Sequence, residues 1–321
     1  MDTSANEIVT EIPNFIRIFK DGTFHRLHVA NIVPAGTDPT TAVESKDIIF
    51  SPENNIFARI YIPPNKTSDH KSNRLPLLIF YHGGGFCIES ARSSLYHNFL
   101  NLVVSESNVV AVSVDYRLAP EFPLPVAYKD SWDAIKWVGK HVDGNGPESW
   151  LNEYADFKNV FLAGDSAGGN ITQHMGIQVG SGCPDGLEFK GAILLHPYFW
   201  GKERIGNESK WIESGMVKNL DDMWAIANPG SSGLDDPLIN PEMDPRIANM
   251  VCSRILVCVA GDDFMRDRDW NYTKLIKKSG WNGDLEVFED LGEEHVFFLN
   301  KPDSANACAL RTRICNFINK V

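Results

Sequence analysis

Short apolar runs alternate with longer amphipathic stretches through the centre and the carboxyl-terminal half of the chain. Several runs are apolar at every position, which is typical of strands covered on both faces. The predicted strands are Leu75–Tyr81, Asn108–Tyr116, Asn159–Ala163, Lys190–His196, Ser253–Ala260 and Leu285–Phe288, preceded by a hairpin of Ser45–Ser51 and Ile56–Ile62. The predicted helices are Val126–Val142, Gly168–Gln178, Arg266–Ser279 and Ser304–Asn319. This alternation predicts an α/β fold with a mostly parallel central sheet flanked by helices.

Two segments depart from the alternation and predict a cap. Residues 1 to about 44 contain polar stretches and the proline-bounded segment Pro34–Pro39. Residues 200 to about 250 follow the sixth predicted strand and are rich in Trp, Pro, Asp and Gly. Insertions at the carboxyl edge of a parallel sheet are where lids and substrate pockets are built. We therefore expect residues 1–321 to form a single domain in which both segments contribute to the cap.

Composition and charge narrow the class of protein. The chain of 321 residues is 43% hydrophobic and 22% charged, as in ordinary globular proteins. Its net charge of −12 predicts a surface that repels phosphate backbones, so no nucleic-acid partner is expected. No apolar run is long enough to predict a membrane span, and the acidic N-terminus lacks the pattern of a signal peptide. We expect a cytoplasmic protein whose six cysteines are reduced.

The segment Gly164–Gly169 (GDSAGG) has the form G-x-S-x-G and lies between an apolar strand and a helical stretch. That context is the one in which the nucleophile-elbow motif occurs. A sharp strand-to-helix turn requires small residues two positions to either side of Ser166. The turn also raises the hydroxyl above the sheet edge, at the positive end of the helix dipole. Ser166 is therefore the predicted nucleophile, and a purely structural turn is the alternative.

A second glycine-rich segment, His82–Phe86 (HGGGF), follows the first long apolar strand. Acyl transfer builds negative charge on a carbonyl oxygen, which preorganised backbone N–H groups stabilise. We assign these donors to Gly84, Gly85 and the N–H of Ala167 after the nucleophile, and we assign Gly83 to the turn. A glycine turn without a ligand is the alternative interpretation.

A nucleophilic serine needs a base, and the base needs an acid to orient it. The chain order expected here is Ser, then Asp or Glu, then His. His295 is the only histidine after residue 196 and is therefore the predicted base. The acid should follow the strand Ser253–Ala260, where Asp262 and Asp263 are both able to orient an imidazole. His196 lies at a strand end before Pro197 and precedes any plausible acid. Six further histidines are expected to be structural or exposed: His25, His28, His70, His97, His141 and His174.

Three motifs together resemble the hormone-sensitive-lipase branch of the α/β-hydrolases: HGGGF, GDSAGGN and DYRLAPEFPLP. Four further segments are similar to plant carboxylesterases: FIRIFKDGTFHRL, HPYFWG, KSGWNG and GEEHVF. The resemblance covers nearly the whole chain and implies an α/β-hydrolase fold capped by the N-terminal segment and the insertion after strand 6. It also implies that Asp263 is the acid and that Asp115 and Arg117 brace the sheet edge.

The residues and the resemblance lead to three functional hypotheses. The first is a serine carboxylesterase of plant specialised metabolism that hydrolyses small, moderately apolar esters through an acyl-enzyme on Ser166. The plant group also contains 2-hydroxyisoflavanone dehydratases and alkaloid cyclases, so a lyase or cyclase with His295 as base is the alternative. A hormone receptor in the group lacks the catalytic histidine, so His295 disfavours a receptor.

Aromatic residues of the glycine-rich loop and the cap suggest an apolar substrate pocket. These candidates are Phe86, Phe199, Trp200, Trp211 and Trp224. Ordinary packing within the lid explains them equally well. Triad chemistry requires no metal and no organic cofactor, so the only expected partner is a small-molecule ester. The sequence leaves the oligomeric state open.

Overall fold

The structure is a computed structural model that describes residues 7–65 and 74–320, arranged as one large sheet, a small N-terminal sheet and eight α-helices. The small sheet contains β1 (Ile8–Ile12), β2 (Ile16–Phe19) and β3 (Phe24–Arg26). The large sheet contains β4 (Glu44–Ser51), β5 (Ile56–Ile62), β6 (Leu75–Tyr81), β7 (Val110–Asp115), β8 (Ala155–Asp165), β9 (Phe189–Leu195), β10 (Arg254–Ala260) and β11 (Asp284–Asp290). The helices are α1 (Ser94–Ser107), α2 (Val126–Gly139), α3 (Ser149–Tyr154), α4 (Ala167–Gly182), α5 (Met216–Ala227), α6 (Arg266–Lys278), α7 (Phe297–Asn300) and α8 (Ala305–Asn319).

The eight strands of the large sheet lie in the order β11-β10-β9-β8-β6-β7-β5-β4. The strands from β11 to β7 pair in parallel, whereas β5 and β4 form an antiparallel hairpin at one edge. Tyr81 lies opposite Gly164, and Asp165 lies opposite Leu195, so β6, β8 and β9 end at the same edge of the sheet. The predicted α/β fold with a mostly parallel sheet is confirmed, including the hairpin at its start.

Both faces of the sheet are covered, which explains why several strands are apolar at every position. In β6, Leu77 and Ile79 belong to one core, and Leu78 and Phe80 belong to the other. Helices α2, α4 and α6 pack in the first core, and α1, α7 and α8 pack in the second.

Helix α1 is absent from the sequence-based prediction, although its buried residues have helical spacing. Tyr96, Phe99, Leu100, Val103 and Val104 are buried against the sheet. The four predicted helices begin within one residue of their predicted starts. Helix α4 extends four residues beyond its predicted end, to Gly182.

The two predicted cap segments meet above the carboxyl edge of the parallel strands. Phe15 in the N-terminal segment and Met223 on α5 both lie against Gly85 of the glycine-rich loop. The Nε–H of Arg26 donates to the carbonyl oxygen of Cys87 at 2.6 Å, which ties the N-terminal segment to that loop. The first six residues of the predicted cap lie outside the described residues.

A buried ion pair anchors the inserted part of the cap to helix α6. Arg268 donates from Nε and Nη2 to the two carboxylate oxygens of Glu208 at 2.5 and 2.9 Å. The side chains of Arg268 and Glu208 are only 5% and 1% exposed, respectively. Water therefore cannot compensate either charge if its partner is removed. Helix α6 follows the loop that carries Asp262 and Asp263, so this pair couples the cap to the predicted acid.

Other surface and core features agree with the composition. Among the described helices, none has both the length and the apolar character needed to span a membrane. All six cysteines are free thiols. Burial raises the pKa of Cys87 and of Cys252 to about 12, so both remain protonated and pack as small apolar groups.

We expect Glu208→Ala to destabilise the protein by about 3–5 kcal/mol, because it leaves the buried Arg268 guanidinium without its partner. Urea unfolding measures this loss. The double substitution Glu208→Leu with Arg268→Met should recover most of the stability, since it removes both buried charges. Asp222→Ala, which breaks the exposed pair with Lys218, is the control and should have little effect. A single Glu208→Ala variant as stable as the wild type would contradict the anchoring role.

Candidate active site

Ser166 occupies a strained turn between β8 and α4. Its φ of 51° and ψ of −118° are unusual for a residue with a side chain and cost about 1–3 kcal/mol. The surrounding backbone holds this conformation: Ser166 N–H donates to Leu195 O at 2.9 Å, and Tyr198 N–H donates to Ser166 O at 2.8 Å. Ser166 therefore sits immediately before the N-terminus of a 16-residue helix, where the N–H of Ala167 is at the positive end of the dipole.

Close packing explains the glycines on either side of Ser166. A Cβ at Gly168 would lie 1.9 Å from the carbonyl oxygen of Tyr81, and a Cβ at Gly164 would lie 2.3 Å from the carbonyl oxygen of Gly168. Both distances are far below contact distance, and the obstructing atoms are backbone. The elbow thus packs directly against the end of β6, from which the glycine-rich loop begins.

The glycine-rich loop both supports the turn and contributes to the cavity wall. Gly83 N–H donates to Tyr96 Oη at 2.8 Å, and Tyr96 Oη donates to Asp165 Oδ2 at 2.8 Å. Gly83 is therefore committed to the loop's own support, which fits its assignment to the turn. Gly84 and Gly85 line the cavity that contains Ser166, as predicted for oxyanion donors, and Gly84 has a φ of 96°.

The predicted acid and base are in direct contact. His295 Nδ1 donates to Asp263 Oδ2 at 2.7 Å, and Asp263 Oδ1 accepts from Met265 N–H at 2.9 Å. Asp263 is buried, whereas its neighbour Asp262 is exposed and donates its N–H to Glu293 O. Of the two aspartates left open by the pattern, the structure places Asp263 beside the imidazole.

The pair shifts the pKa values of both partners. Burial tends to raise the pKa of Asp263, but the charge of His295 and its hydrogen bond outweigh burial and lower that pKa. Burial tends to lower the pKa of His295, but the charge and hydrogen bond of Asp263 prevail and raise it. Asp263 therefore holds the imidazole by Nδ1 and leaves Nε2 to exchange a proton with a reacting group.

His196 supports the loop that carries the base, a role that sequence reasoning did not assign. Its Nδ1 accepts a hydrogen bond from the N–H of Val296 at 3.0 Å, next to His295 in the chain. Burial lowers the pKa of His196 to about 3, although the Asp263 charge opposes this, so the ring stays neutral. In the sequence, the feature that could have indicated this supporting role is the position of His196 at the end of a predicted strand, directly before Pro197.

Among the described residues, one group has the composition of a metal site: His196, Asp263 and His295, with ligand-type atoms within 4.8 Å of one another. Two hydrogen bonds, from His295 Nδ1 to Asp263 Oδ2 and from Val296 N–H to His196 Nδ1, already occupy one polar atom on each of the three side chains. The arrangement is that of an acid–base pair, and nothing in its donor set requires an ion.

A cavity of about 310 Å³ contains Ser166 and His295 on its wall. Within the described structure, no hydrogen bond joins Ser166 to His295, and contacts of this kind often tighten only when substrate binds. The rest of the wall is largely apolar and comes in part from both cap segments and from Phe264, whose ring lies 5.0 Å from that of His295. The apolar residues contributed by the cap include Ile12, Phe15, Met216, Leu220 and Met223.

The aromatic residues proposed for the substrate pocket do not line this cavity, so that prediction was wrong. Phe86, Phe199, Trp200 and Trp224 are almost completely buried in the core. Phe199 packs on Tyr272, and the Trp200 and Trp224 indoles donate hydrogen bonds within the insertion. Trp211 lies in a neighbouring groove beside Phe264. Within the insertion, the large rings of Trp200 and Trp224 are buried in the core, and the flexible side chains of Met216 and Met223 line the cavity instead.

Comparison with known proteins agrees with this geometry. The pattern of a family described as having the alpha/beta hydrolase fold matches residues 78–299. A protein of Arabidopsis thaliana named Probable carboxylesterase 7 is 46% identical over 306 residues, which cover 95% of this chain and 96% of that protein. The chain belongs to the α/β-hydrolase family.

Two further proteins are similar to this chain. A 2-hydroxyisoflavanone dehydratase of Glycine max is 39% identical over 322 residues, covering 98% of this chain and 99% of that protein. An esterase of Pyrobaculum calidifontis has a similar structure, with a TM-score of 0.69, 27% identity, and coverage of 86% of this chain and 84% of that one. The predicted likeness to plant carboxylesterases and the predicted hydrolase fold are confirmed.

The ion pair predicts how activity depends on pH. Because only neutral His295 can accept a proton, and because its pKa is raised, kcat/KM should fall as pH drops through a value above about 6.5, the ordinary pKa of histidine. Asp263→Asn should move this limb to lower pH and reduce kcat by about 10⁴-fold. Initial rates between pH 5 and pH 9, in steps of about 0.5, measure both effects.

The matched control is Asp262→Asn, which makes the same chemical change at the exposed neighbouring residue. It should leave the pH profile unchanged. If the two variants behaved alike, Asp263 would not be the orienting acid.

We expect Gly84→Ala to reduce kcat by about 10²–10³-fold, because a Cβ there would lie 2.3 Å from Ile88 O and φ is unfavourable for alanine. Steady-state kinetics measure this loss, and thermal unfolding shows whether the variant folds. Gly230→Ala, where a Cβ meets nothing within 4 Å, is the matched control. Full activity in folded Gly84→Ala would contradict an oxyanion role for this loop.

Proposed function

We propose that the protein is a serine carboxylesterase. The observation that carries this proposal is the Asp263–His295 hydrogen bond on the wall of the cavity that also contains the Ser166 elbow and the Gly84–Gly85 loop. Nucleophile, base, orienting acid and oxyanion donors are the complete set that acyl transfer to serine requires. The named carboxylesterase and esterase relatives support the same activity.

The chemistry proceeds in two steps. His295 Nε2 removes the Ser166 hydroxyl proton as Oγ attacks the ester carbonyl carbon, and the N–H groups of Gly84, Gly85 and Ala167 stabilise the oxyanion. The C–O bond to the alcohol breaks, and the alcohol leaves with the proton from His295. Water then attacks the acyl-enzyme by the same route and releases the carboxylic acid.

The volume and the lining of the cavity favour small, moderately apolar esters as substrates. Its volume of about 310 Å³ lies near the lower end for ligand pockets, and most of its wall is apolar. We further propose a role in plant specialised metabolism and a cytoplasmic location, which six free thiols favour. Fluorescence of a tagged protein in plant cells tests the location.

An alternative is elimination chemistry with His295 as the base on carbon or on a hydroxyl group. The dehydratase relative, at 39% identity over nearly the full length, favours keeping this candidate. A base and an oxyanion hole serve elimination as well as hydrolysis, but elimination does not require an acyl-enzyme.

The wild type should hydrolyse p-nitrophenyl acetate and butyrate, and Ser166→Ala should reduce kcat by at least about 10⁴-fold because no acyl-enzyme forms. Release of p-nitrophenol measures the rate, and a fluorophosphonate probe should label Ser166. Ser181→Ala, at the exposed far end of helix α4, is the control and should retain activity. Absence of hydrolysis in the wild type, or full activity in Ser166→Ala, would refute the esterase. Turnover of a natural substrate that survives Ser166→Ala but not His295→Ala would favour the lyase.

A further inference from the structure

Two carboxylates on the cavity wall have no part in the catalytic steps described above. Asp263 already orients His295, which leaves Glu89 and Asp165 without an assigned role. Each has one carboxylate oxygen that is buried and has no hydrogen-bond partner: Glu89 Oε2 and Asp165 Oδ1. The two residues come from the loop after β6 and from the end of β8, which meet at the nucleophile elbow.

Glu89 is held in place by its surroundings. Its side chain is only 7% exposed, and Oε1 binds Nε2 of His28 in the N-terminal segment. Its backbone has a φ of 74°, which is uncommon for a residue with a side chain. The next residue, Ser90, donates its hydroxyl proton to Asp115 Oδ1 at 2.6 Å, which fixes the loop from the other side. The position of Glu89 is thus fixed on both sides, by His28 and by the loop.

Asp165 is equally constrained. It is 1% exposed, and its Oδ2 accepts the hydrogen bond from Tyr96 at 2.8 Å, whereas Oδ1 has no partner. Burial raises the pKa of Asp165 to about 7, although the Tyr96 hydrogen bond and the charge of His295 oppose the rise. The ionised form, which prevails above that value, offers Oδ1 only as an acceptor.

A buried acceptor without a partner destabilises the folded protein unless something supplies a hydrogen bond. Folded proteins satisfy most such groups, so two buried, unpaired oxygens on residues that line one cavity point to a ligand that donates to them. The rest of the wall is largely apolar, so the donor should sit on an otherwise apolar molecule. Glu89 already has His28 as a basic partner, and an ammonium group would lose its hydration here, so a neutral donor fits better.

We propose that Glu89 and Asp165 form a subsite that accepts a hydrogen bond from a hydroxyl group of the substrate. The preferred substrates are then apolar esters that carry a hydroxyl group, and Glu89 is a specificity-determining residue. This inference rests on the proposed esterase function, because it concerns the substrate of the same cavity.

The test is a matched series of p-nitrophenyl butyrates that carry a hydroxyl, a methoxy or an ammonium group at C2 or at C3. The methyl ethers match the hydroxyl esters in electronic effect but cannot donate, and alkaline hydrolysis rates correct for intrinsic reactivity. We expect kcat/KM of the better hydroxyl ester to exceed that of its methyl ether by about tenfold or more, and to exceed that of the ammonium ester.

Glu89→Gln should reduce the hydroxyl-to-methoxy ratio by about tenfold, since it removes the charged acceptor at nearly constant size. Glu213→Gln makes the same change on an exposed residue outside the cavity wall and should preserve the wild-type ratio. Thermal unfolding and fluorophosphonate labelling of Ser166 verify that each variant folds. The wild-type series needs no variant, so it tests the proposal even if Glu89→Gln does not fold.

Three results would overturn the subsite: equal rates for the hydroxyl and methoxy esters in the wild type, an unchanged ratio in Glu89→Gln, or a preference for the ammonium ester. Failure of the esterase function itself is distinguishable. In that case unsubstituted p-nitrophenyl butyrate is not hydrolysed and Ser166 is not labelled. Hydrolysis of that ester without a preference for the hydroxyl group refutes the subsite alone.

Discussion

The close contact between the nucleophile elbow and the end of strand β6 is the constraint on which the site depends. Backbone atoms of Gly168 and Tyr81 approach so closely that no side chain fits at Gly168. That contact brings the start of helix α4 beside the glycine-rich loop, which begins directly after Tyr81. The predicted nucleophile and oxyanion donors therefore share one rigid unit made almost entirely of backbone, in which strain at Ser166 is held by hydrogen bonds to β9 and the following loop.

The predicted base approaches this unit from other strands of the sheet. Asp263 and His295 follow β10 and β11, which lie on the far side of β9 from the elbow. Parallel strands all end at one edge, so these distant segments converge on the same cavity. His196 at the end of β9 then braces the His295 loop through the Val296 N–H. The predicted site thus draws on the ends of five neighbouring strands, β6 and β8 to β11, and the register of the sheet sets the distances between its residues.

The cap residues on the cavity wall limit which substrates fit. Buried aromatic side chains and the Arg268–Glu208 pair fasten the insertion to the core, whereas methionines and smaller apolar side chains face the cavity. This division has a physical reason: large rigid rings contribute most when they are completely buried, and methionine adapts to an irregular surface. Glu89 and Asp165 are polar residues within this largely apolar wall, so we expect them to orient a bound substrate.

The sequence alone predicted the sheet, four of the longer helices, and Ser166 and His295 as nucleophile and base, because each prediction depends on a local pattern or on chain order. Helix α1 was equally readable from the spacing of Tyr96, Phe99 and Val103, and it was missed in spite of that signal. The choice between Asp262 and Asp263 came from family resemblance, since both have the same chemistry and adjacent positions. Only the tertiary structure showed which carboxylate faces the imidazole. It alone also showed that the cap aromatics are buried and that Glu89 and Asp165 border the cavity. Burial, unsatisfied hydrogen bonds and the composition of a cavity wall arise from segments far apart in the chain, and no local pattern encodes them.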